Sequence, residues 1–172
     1  MNHQDIKRMT LSAILTAGAI TLHFVEGLFA MPVAIPGIKI GLPNIVSLVA
    51  LYLFGPLEAL AILILRVFMT SFLYSGFSSL IFSLAGGILS IAAMYAVRKL
   101  SEKGFGIVSA SVAGGVFHNI GQILAAAAVL RTSSVFYYLP VLIVSGVVTG
   151  AITGIVSGSI IPRLNRIYNP DK

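Results

Sequence analysis

The sequence predicts an all-α integral membrane protein, a single bundle of six transmembrane helices. Of its 172 residues, 58% are hydrophobic and 9% are charged, and the mean hydropathy is +1.02. A soluble domain usually carries about 25% charged residues, so this chain lacks the charge to cover its own surface in water. In a bilayer the same composition is favourable, because lipid solvates apolar side chains and rejects charged ones. The length suits one integral membrane domain over residues 1–172.

Six apolar segments are separated by polar or turn-forming residues. They cover residues 6–29, 44–54, 57–74, 77–97, 105–130 and 135–161, and the last stops at Pro162. Backbone groups cannot stay unpaired in lipid, so each segment is expected to be helical. The loop MPVAIPGIKIGLP before the second segment holds too many prolines and glycines for a helix. The second segment is too short to cross alone, so it either lies partly inside the bundle or borrows residues from that loop.

The basic residues predict the orientation of the bundle. Six spans place both termini on one side, and lysine and arginine concentrate on the cytoplasmic side of membranes. Eight basic residues fall on the side of the termini: Lys7, Arg8, Arg98, Lys99, Lys103, Arg163, Arg166 and Lys172. Only Lys39 and Arg131 fall in the opposite loops. Both termini are therefore predicted to be cytoplasmic, with the proline-rich first loop outside. The net charge of +6 is scattered over helix ends and forms no stripe that favours nucleic acid.

Several classes of chemistry lack the residues they need. The chain has no cysteine, and its only aspartates, Asp5 and Asp171, lie near the termini. Paired carboxylates for Mg²⁺ inside the membrane, a phosphate-binding glycine loop, HExxH and GxSxG are all missing from the sequence. The sequence therefore predicts a protein that is not an enzyme, binds no metal or cofactor and hydrolyses no ATP by itself.

Polar residues inside the spans predict a binding cavity. Ionisable groups in lipid are costly and by default mark function. Eight polar residues on four segments and the first loop fall at a similar predicted depth in the outer half of the bundle: His23, Glu26, Lys39, Asn44, Arg66, His118, Asn119 and Gln122. The formal charges are slightly cationic, which favours a small anionic ligand, with the first loop as a lid. Five aromatic residues are candidates for the walls of this cavity, and the sequence does not fix the direction in which their rings point: Tyr52, Phe68, Phe72, Tyr74 and Phe117.

Each of these residues receives an expected role. Arg66, Lys39 and His118 bind the anionic part of the ligand, and Arg66 is its main anchor. Asn44, Asn119 and Gln122 orient the ligand, while His23 and Glu26 tie the first helix to the pocket. Two structural alternatives remain open: Arg66 and Glu26 pair only to stabilise the bundle, or the polar residues 118, 119 and 122 form a hydrogen-bonded clamp between helices. A metal site is disfavoured because no carboxylate lies near residues 118–122 in sequence.

Small residues on two segments predict close helix packing. The last segment carries glycines at strict four-residue spacing: Gly146, Gly150, Gly154 and Gly158. Residues four apart share a helix face, so this face allows another backbone to approach closely. Packing within the chain is the favoured interpretation, and a partner interface is the alternative. Ala13 and Ala17 form a second face of the same kind on the first segment.

Several stretches together resemble a known family. They are IKIGLPNIVSLVALYLFGPLEALAILILRVFMTSFL, SLAGGILSIAAM, FHNIGQILAAAAVL and YYLPVLIVSGVVTGAITGIVSG, with the motifs KxGLPN and HNxGQ. The chain is similar over nearly its whole length to the Gx transporter family, also labelled heptaprenyl diphosphate synthase component I. That family in turn resembles the substrate-binding S components of energy-coupling factor (ECF) transporters.

The resemblance implies a function and partners. S components are six-helix proteins of the bacterial cytoplasmic membrane that bind a small molecule in an outward-facing pocket, and the first loop closes over it. They act with a membrane coupling subunit and ATPases, and Ala13 and Ala17 match the spacing of the AxxxA face that meets the coupling subunit. The alternative is a non-catalytic membrane subunit of a quinone, prenyl-lipid or flavin-linked extracellular electron-transfer assembly, including accessory component I of heptaprenyl diphosphate synthase. An autonomous prenyl-chain synthase is disfavoured, because no DDxxD motif is present.

Overall fold

The structure is a computed structural model that describes residues 3–28, 41–100 and 105–168. Within these ranges the chain forms six α-helices and no strand. The helices are α1 His3–Leu28, α2 Asn44–Leu53, α3 Pro56–Thr70, α4 Gly76–Lys99, α5 Ile107–Leu130 and α6 Leu139–Tyr168. A π-helical turn, Ser71–Ser75, joins α3 to α4, and a 3₁₀ turn, Ser134–Tyr138, precedes α6. The predicted all-α membrane bundle is confirmed: five helical stretches are long and apolar enough to cross a bilayer, and α2 is the short one.

Contacts between helix ends show that consecutive helices run in opposite directions. The N-terminal ends of α1 and α3 meet in an ion pair between Arg8 and Glu58. The last turn of α4 reaches the last turn of α2, where Arg98 donates a hydrogen bond to the carbonyl oxygen of Leu51. The Tyr168 ring at the end of α6 packs edge-on against Phe54, which follows α2. These contacts define the basic end of the bundle, which carries Lys7, Arg8, Arg98, Lys99, Arg163 and Arg166.

Helix α2 is a buried half-helix. Its 10 residues give a length of about 15 Å, half of a hydrocarbon core of about 30 Å. Seven of its residues are buried, and it touches each of the other five helices. A helix that is apolar on all sides belongs inside a protein, and this composition explains its central position. Residues 41–43 form a turn and do not extend the helix. Of the two sequence-based alternatives, the one in which this short helix lies inside the bundle is therefore correct.

Arg98 stabilises the C-terminal end of α2. Its guanidinium donates to Leu51, and its Cζ atom lies 4.8 Å from the centre of the Tyr52 ring. A cation at this end also complements the helix dipole, because the last carbonyl groups of a helix carry partial negative charge. Arg98 therefore stabilises a helix that is too short to be stable by itself.

Replacing Arg98 with methionine is expected to destabilise the protein by about 1.5–3 kcal/mol, because a hydrogen bond to a charged donor is lost. The matched control is Lys99→Met, since Lys99 only places its Nζ atom 4.8 Å from the centre of the Tyr95 ring on the surface. That contact is worth about 0.5–1 kcal/mol. Thermal unfolding of both variants in one detergent measures the difference, and equal losses would contradict the capping role.

Glycines bring α5 and α6 together, and most of the glycine face of α6 is occupied within the chain. A Cβ atom added at Gly146, Gly150 or Gly154 would lie 2.7–2.8 Å from atoms of α5. Ser111 and Thr153 then share a hydrogen bond of 2.8 Å across the interface. These three glycines are therefore not open to a partner, which corrects the partner-interface interpretation for them. A Cβ atom added at Gly158 would meet no atom within 4 Å, so Gly158 remains a predicted contact with a partner protein.

Helix α6 is longer than the sequence indicates. The prediction ended the last segment before Pro162, but the helix continues through this proline to Tyr168. A proline ring clashes with the carbonyl group four residues earlier. That residue is Gly158, whose surroundings are open, so the backbone has room to accommodate the ring.

Candidate functional site

Polar side chains from four helices are buried in one region of the bundle. Their exposed fractions are 7% or less, although most are charged or carry amide groups. They come from α1, α2, α3 and α5: His23, Glu26, Asn44, Arg66, His118, Asn119 and Gln122. Lys39 lies outside the described residues. The structure therefore places seven of the eight predicted site residues in the interior, and their role in binding stays a prediction.

Gly41 is the point where three of these side chains meet. Its backbone N–H donates a hydrogen bond to Oε1 of Glu26 at the end of α1. A Cβ atom added to Gly41 would lie 2.8 Å from Nδ2 of Asn44 and 3.2 Å from Cδ2 of His118. The φ angle of Gly41 is +92°, a conformation that only glycine adopts without strain. A larger residue at this position would therefore displace Asn44 and His118.

Arg66 completes the group from the side of α3. The guanidinium interacts electrostatically with Glu26 and with His118, although no two of the three lie on the same helix. We call Glu26, Gly41, Asn44, Arg66 and His118 the polar cluster. His118 lies near the middle of α5, and Asn44 begins α2, so the half-helix directs its N-terminal end at the cluster. The partial positive charge of a helix N-terminus adds to that of Arg66.

Close backbone approach of α4 supports the position of His118. A Cβ atom at Gly86 would lie 2.7 Å from the carbonyl oxygen of His118 and 3.0 Å from its Nδ1 atom. On the opposite helix, a Cβ atom at Gly121 would lie 2.7 Å from the carbonyl oxygen of Ala85. The two glycines therefore allow α4 and α5 to meet and bring the His118 ring against the α4 backbone.

Several atoms of the polar cluster have no hydrogen-bond partner among the described residues. They are Nε and Nη2 of Arg66 and Oδ1 of Asn44. A buried polar atom without a partner costs about 1–3 kcal/mol, and more when the group is charged. Native proteins carry few such atoms, and each one calls for an explanation. The cluster therefore offers donors and acceptors that a bound molecule can satisfy.

The two structural alternatives apply only in part. Arg66 and Glu26 do attract each other, but Glu26 accepts a hydrogen bond from Gly41 and two Arg66 nitrogens stay without a partner. Pairing alone therefore does not account for Arg66. The clamp interpretation fits Asn119, whose Nδ2 atom donates to the carbonyl oxygen of Leu142 on α6 at 2.6 Å. His118 instead belongs to the polar cluster.

Four of the five predicted aromatic residues do not enclose the polar cluster, and the side chain of the fifth, Tyr74, lies outside the described residues. Tyr52 lies at the basic end against Arg98, and the exposed fractions of Phe68, Phe72 and Phe117 are 42%, 82% and 43%. A separate surface pocket of about 240 Å³ is lined by Ser71, Phe72, Gly76, Phe77 and Leu80 and contains none of the predicted site residues. Within residues 3–28, 41–100 and 105–168, no group of three histidine, aspartate or glutamate side chains is arranged to hold a metal ion.

Sequence reasoning missed two parts of this region. Gly41 was assigned only as a helix breaker, although its place directly before LPN and a short buried helix was an available signal. The second part is a series of buried hydroxyl groups on α3, the π-helical turn and α4: Thr70, Ser71, Ser79, Ser83 and Ser90. Serine and threonine are common in membrane helices, so nothing in the sequence distinguished these residues.

A family model described as Heptaprenyl diphosphate synthase component I matches residues 15–160 of the chain. The match includes every residue of the polar cluster and both glycine-rich helix interfaces. Neither the curated proteins nor the solved structures gave a match.

Proposed function

This chain belongs to the heptaprenyl diphosphate synthase component I family, and we propose that it is a non-catalytic, ligand-binding membrane subunit of an importer. In this proposal it resembles the S component of an ECF transporter. It holds a small molecule with an anionic group in the polar cluster, and a membrane coupling subunit with ATPases drives transport.

One observation carries the proposal: a buried arginine with two unpartnered nitrogens lies among polar residues from several helices. Ionisable groups inside a membrane bundle commonly mark a substrate pathway. Arginine binds carboxylate and phosphate groups through paired hydrogen bonds, so an anionic group on the ligand suits Arg66. His118 and Asn44 then contact the rest of the molecule, Asn119 fixes α5 against α6, and Gln122 lies one turn beyond His118.

The expected orientation follows from the basic end of the bundle. If that end is cytoplasmic, as the distribution of lysine and arginine favours, both termini lie inside the cell. The polar cluster then lies between the middle of the bundle and its outer end, because Glu26 is near the end of α1 that is remote from the basic end. A ligand arrives from outside, and Lys39 belongs to the loop on that side.

The expected docking face for the coupling subunit lies on α1. Ala13 and Ala17 are exposed, and around the adjacent Gly18 an added Cβ atom would meet no atom within 4 Å. Small residues at this spacing let another transmembrane helix approach closely. Of the four regularly spaced glycines of α6, Gly158 is the one that is open to such a contact.

Affinity purification of the full chain from its own membranes tests the proposal. We expect a membrane coupling subunit and ATPases to co-purify, and Ala17→Leu to reduce their yield about tenfold, because a larger side chain separates the helices. The matched control is Ala128→Leu on the exposed face of α5, which should leave the yield unchanged. Equal effects of both substitutions, or recovery of neither partner, would contradict the importer proposal.

The description of the family favours a second candidate function. It names a component of heptaprenyl diphosphate synthase, so the chain is alternatively an accessory membrane subunit of a prenyl-lipid, quinone or flavin-linked electron-transfer assembly. In that case the same purification recovers prenyl-transfer or redox enzymes in place of ATPases.

A further inference from the structure

The unpartnered atoms of the polar cluster restrict the chemical class of the ligand. We propose that the ligand is a small amino carboxylate, whose carboxylate binds Arg66 while its amine is held near Asn44 and Glu26. This inference rests on the proposed ligand-binding function and adds the substrate class to it.

The first argument is the geometry of Arg66. Its unpartnered nitrogens are Nε and Nη2, and their N–H bonds point the same way along one edge of the planar guanidinium. Two parallel donors on one edge match the two oxygens of a carboxylate, which gives a bidentate pair. The free edge of Arg66 is thus shaped for a planar group with two acceptors.

The second argument is charge balance. Among the described residues the cluster contains one cation, Arg66, and one carboxylate, Glu26, within electrostatic range of each other. With His118 neutral, their formal charges cancel. Burying a net charge in a low-dielectric interior is costly unless it is compensated, so a ligand with both signs preserves the balance. A diphosphate would bring several negative charges to a single arginine, close to a glutamate.

The third argument is the acceptor on Asn44. Nδ2 of this side chain faces Gly41, while Oδ1 is buried and has no partner among the described residues. An acceptor of this kind is satisfied only by an N–H or O–H group of the bound molecule. A site built around such an atom strongly rejects analogues that lack the donor. The negative charge of Glu26 nearby makes a protonated amine the best donor.

Mass spectrometry of the small molecules released from the purified full-length protein tests this inference. We expect a retained molecule with a carboxylate and an amine, whose amount falls about tenfold or more in Arg66→Lys, because lysine keeps the charge but loses the paired hydrogen bonds. Asn44→Leu should cause a similar loss. The control Arg166→Lys, an exposed residue of α6, should retain the molecule, and size-exclusion chromatography shows whether each variant is folded.

The outcomes separate the two proposals. If the Arg66-dependent molecule is a phosphate ester, a diphosphate or a carboxylate without a hydrogen-bond donor, the amino carboxylate assignment is wrong and the binding function stands. If no retained molecule depends on Arg66, both fail. Thermal unfolding of the wild-type protein gives a second measurement: a mixture of free amino acids at millimolar concentration should raise the unfolding temperature, and inorganic diphosphate should not. The reverse result would overturn the inference.

Discussion

The double variant Arg66→Met/Glu26→Gln is expected to lose ligand binding while the ligand-free protein keeps or gains stability. Methionine fills a similar volume without charge, and glutamine retains the oxygen that accepts the Gly41 hydrogen bond. Replacing a buried, oppositely charged pair by well-packed hydrophobic residues of similar volume is often neutral or stabilises a protein by about 1–4 kcal/mol, and glutamine, although polar, also carries no charge to desolvate. Removing the charged partner of a bound ligand costs about 2–5 kcal/mol, which corresponds to a loss of affinity of roughly 30-fold or more.

Two measurements on the same detergent-purified samples check this result: the amount of retained small molecule and the thermal unfolding temperature. Arg98→Met provides the comparison, since it removes an arginine whose hydrogen bond to Leu51 stabilises α2. Opposite effects of the two changes on stability would separate a binding arginine from a structural one. If the double variant loses as much stability as Arg98→Met, Arg66 is structural and the binding proposal fails.

Gly150→Ala is expected to destabilise the bundle by about 1–3 kcal/mol, because overpacking forces backbone shifts. The added Cβ atom would lie 2.7 Å from Cα of Val112 and 2.9 Å from the carbonyl oxygen of Ser111. Both are backbone atoms of α5, so no side chain can rotate away, and the two helices must separate. The interface also holds the hydrogen bond between Ser111 and Thr153, which that separation weakens.

Gly158→Ala is the matched control for the packing experiment. This glycine lies two turns further along α6, and a Cβ atom there would meet no other atom within 4 Å. The substitution should leave stability unchanged or raise it by up to about 1 kcal/mol, because alanine favours a helix. Thermal unfolding and the yield of monodisperse protein measure both variants. Equal losses at positions 150 and 158 would show that the glycine run does not act through contact with α5.

Much of the fold follows from local composition. The helices lie close to the predicted segments, because apolar runs and the prolines, glycines and charges between them are local features of the chain. The clearest departure is at Pro162, where the helix continues beyond a residue that ends most helices. The burial of the polar residues was predicted, because a polar residue within a membrane span must turn toward the bundle interior, and Arg66 and His118 do so; their role in binding stays a prediction. Apart from the attraction between Arg66 and Glu26, which the sequence offered as an alternative, the contacts that surround them were not predicted.

The sequence alone determined that the chain resides in a membrane, how many helices it forms, which helix ends are basic and which polar residues are costly enough to require burial. Only the tertiary structure decided that α2 lies in the centre, that Gly41 joins Glu26, Asn44 and His118, and that Asn119 binds α6. It also decided that Gly150 is covered while Ala17 is exposed. The physical reason is the solvent. In lipid the outer and inner faces of a helix are both apolar, so hydrophobic periodicity marks neither, and close packing of small residues settles which face turns inward.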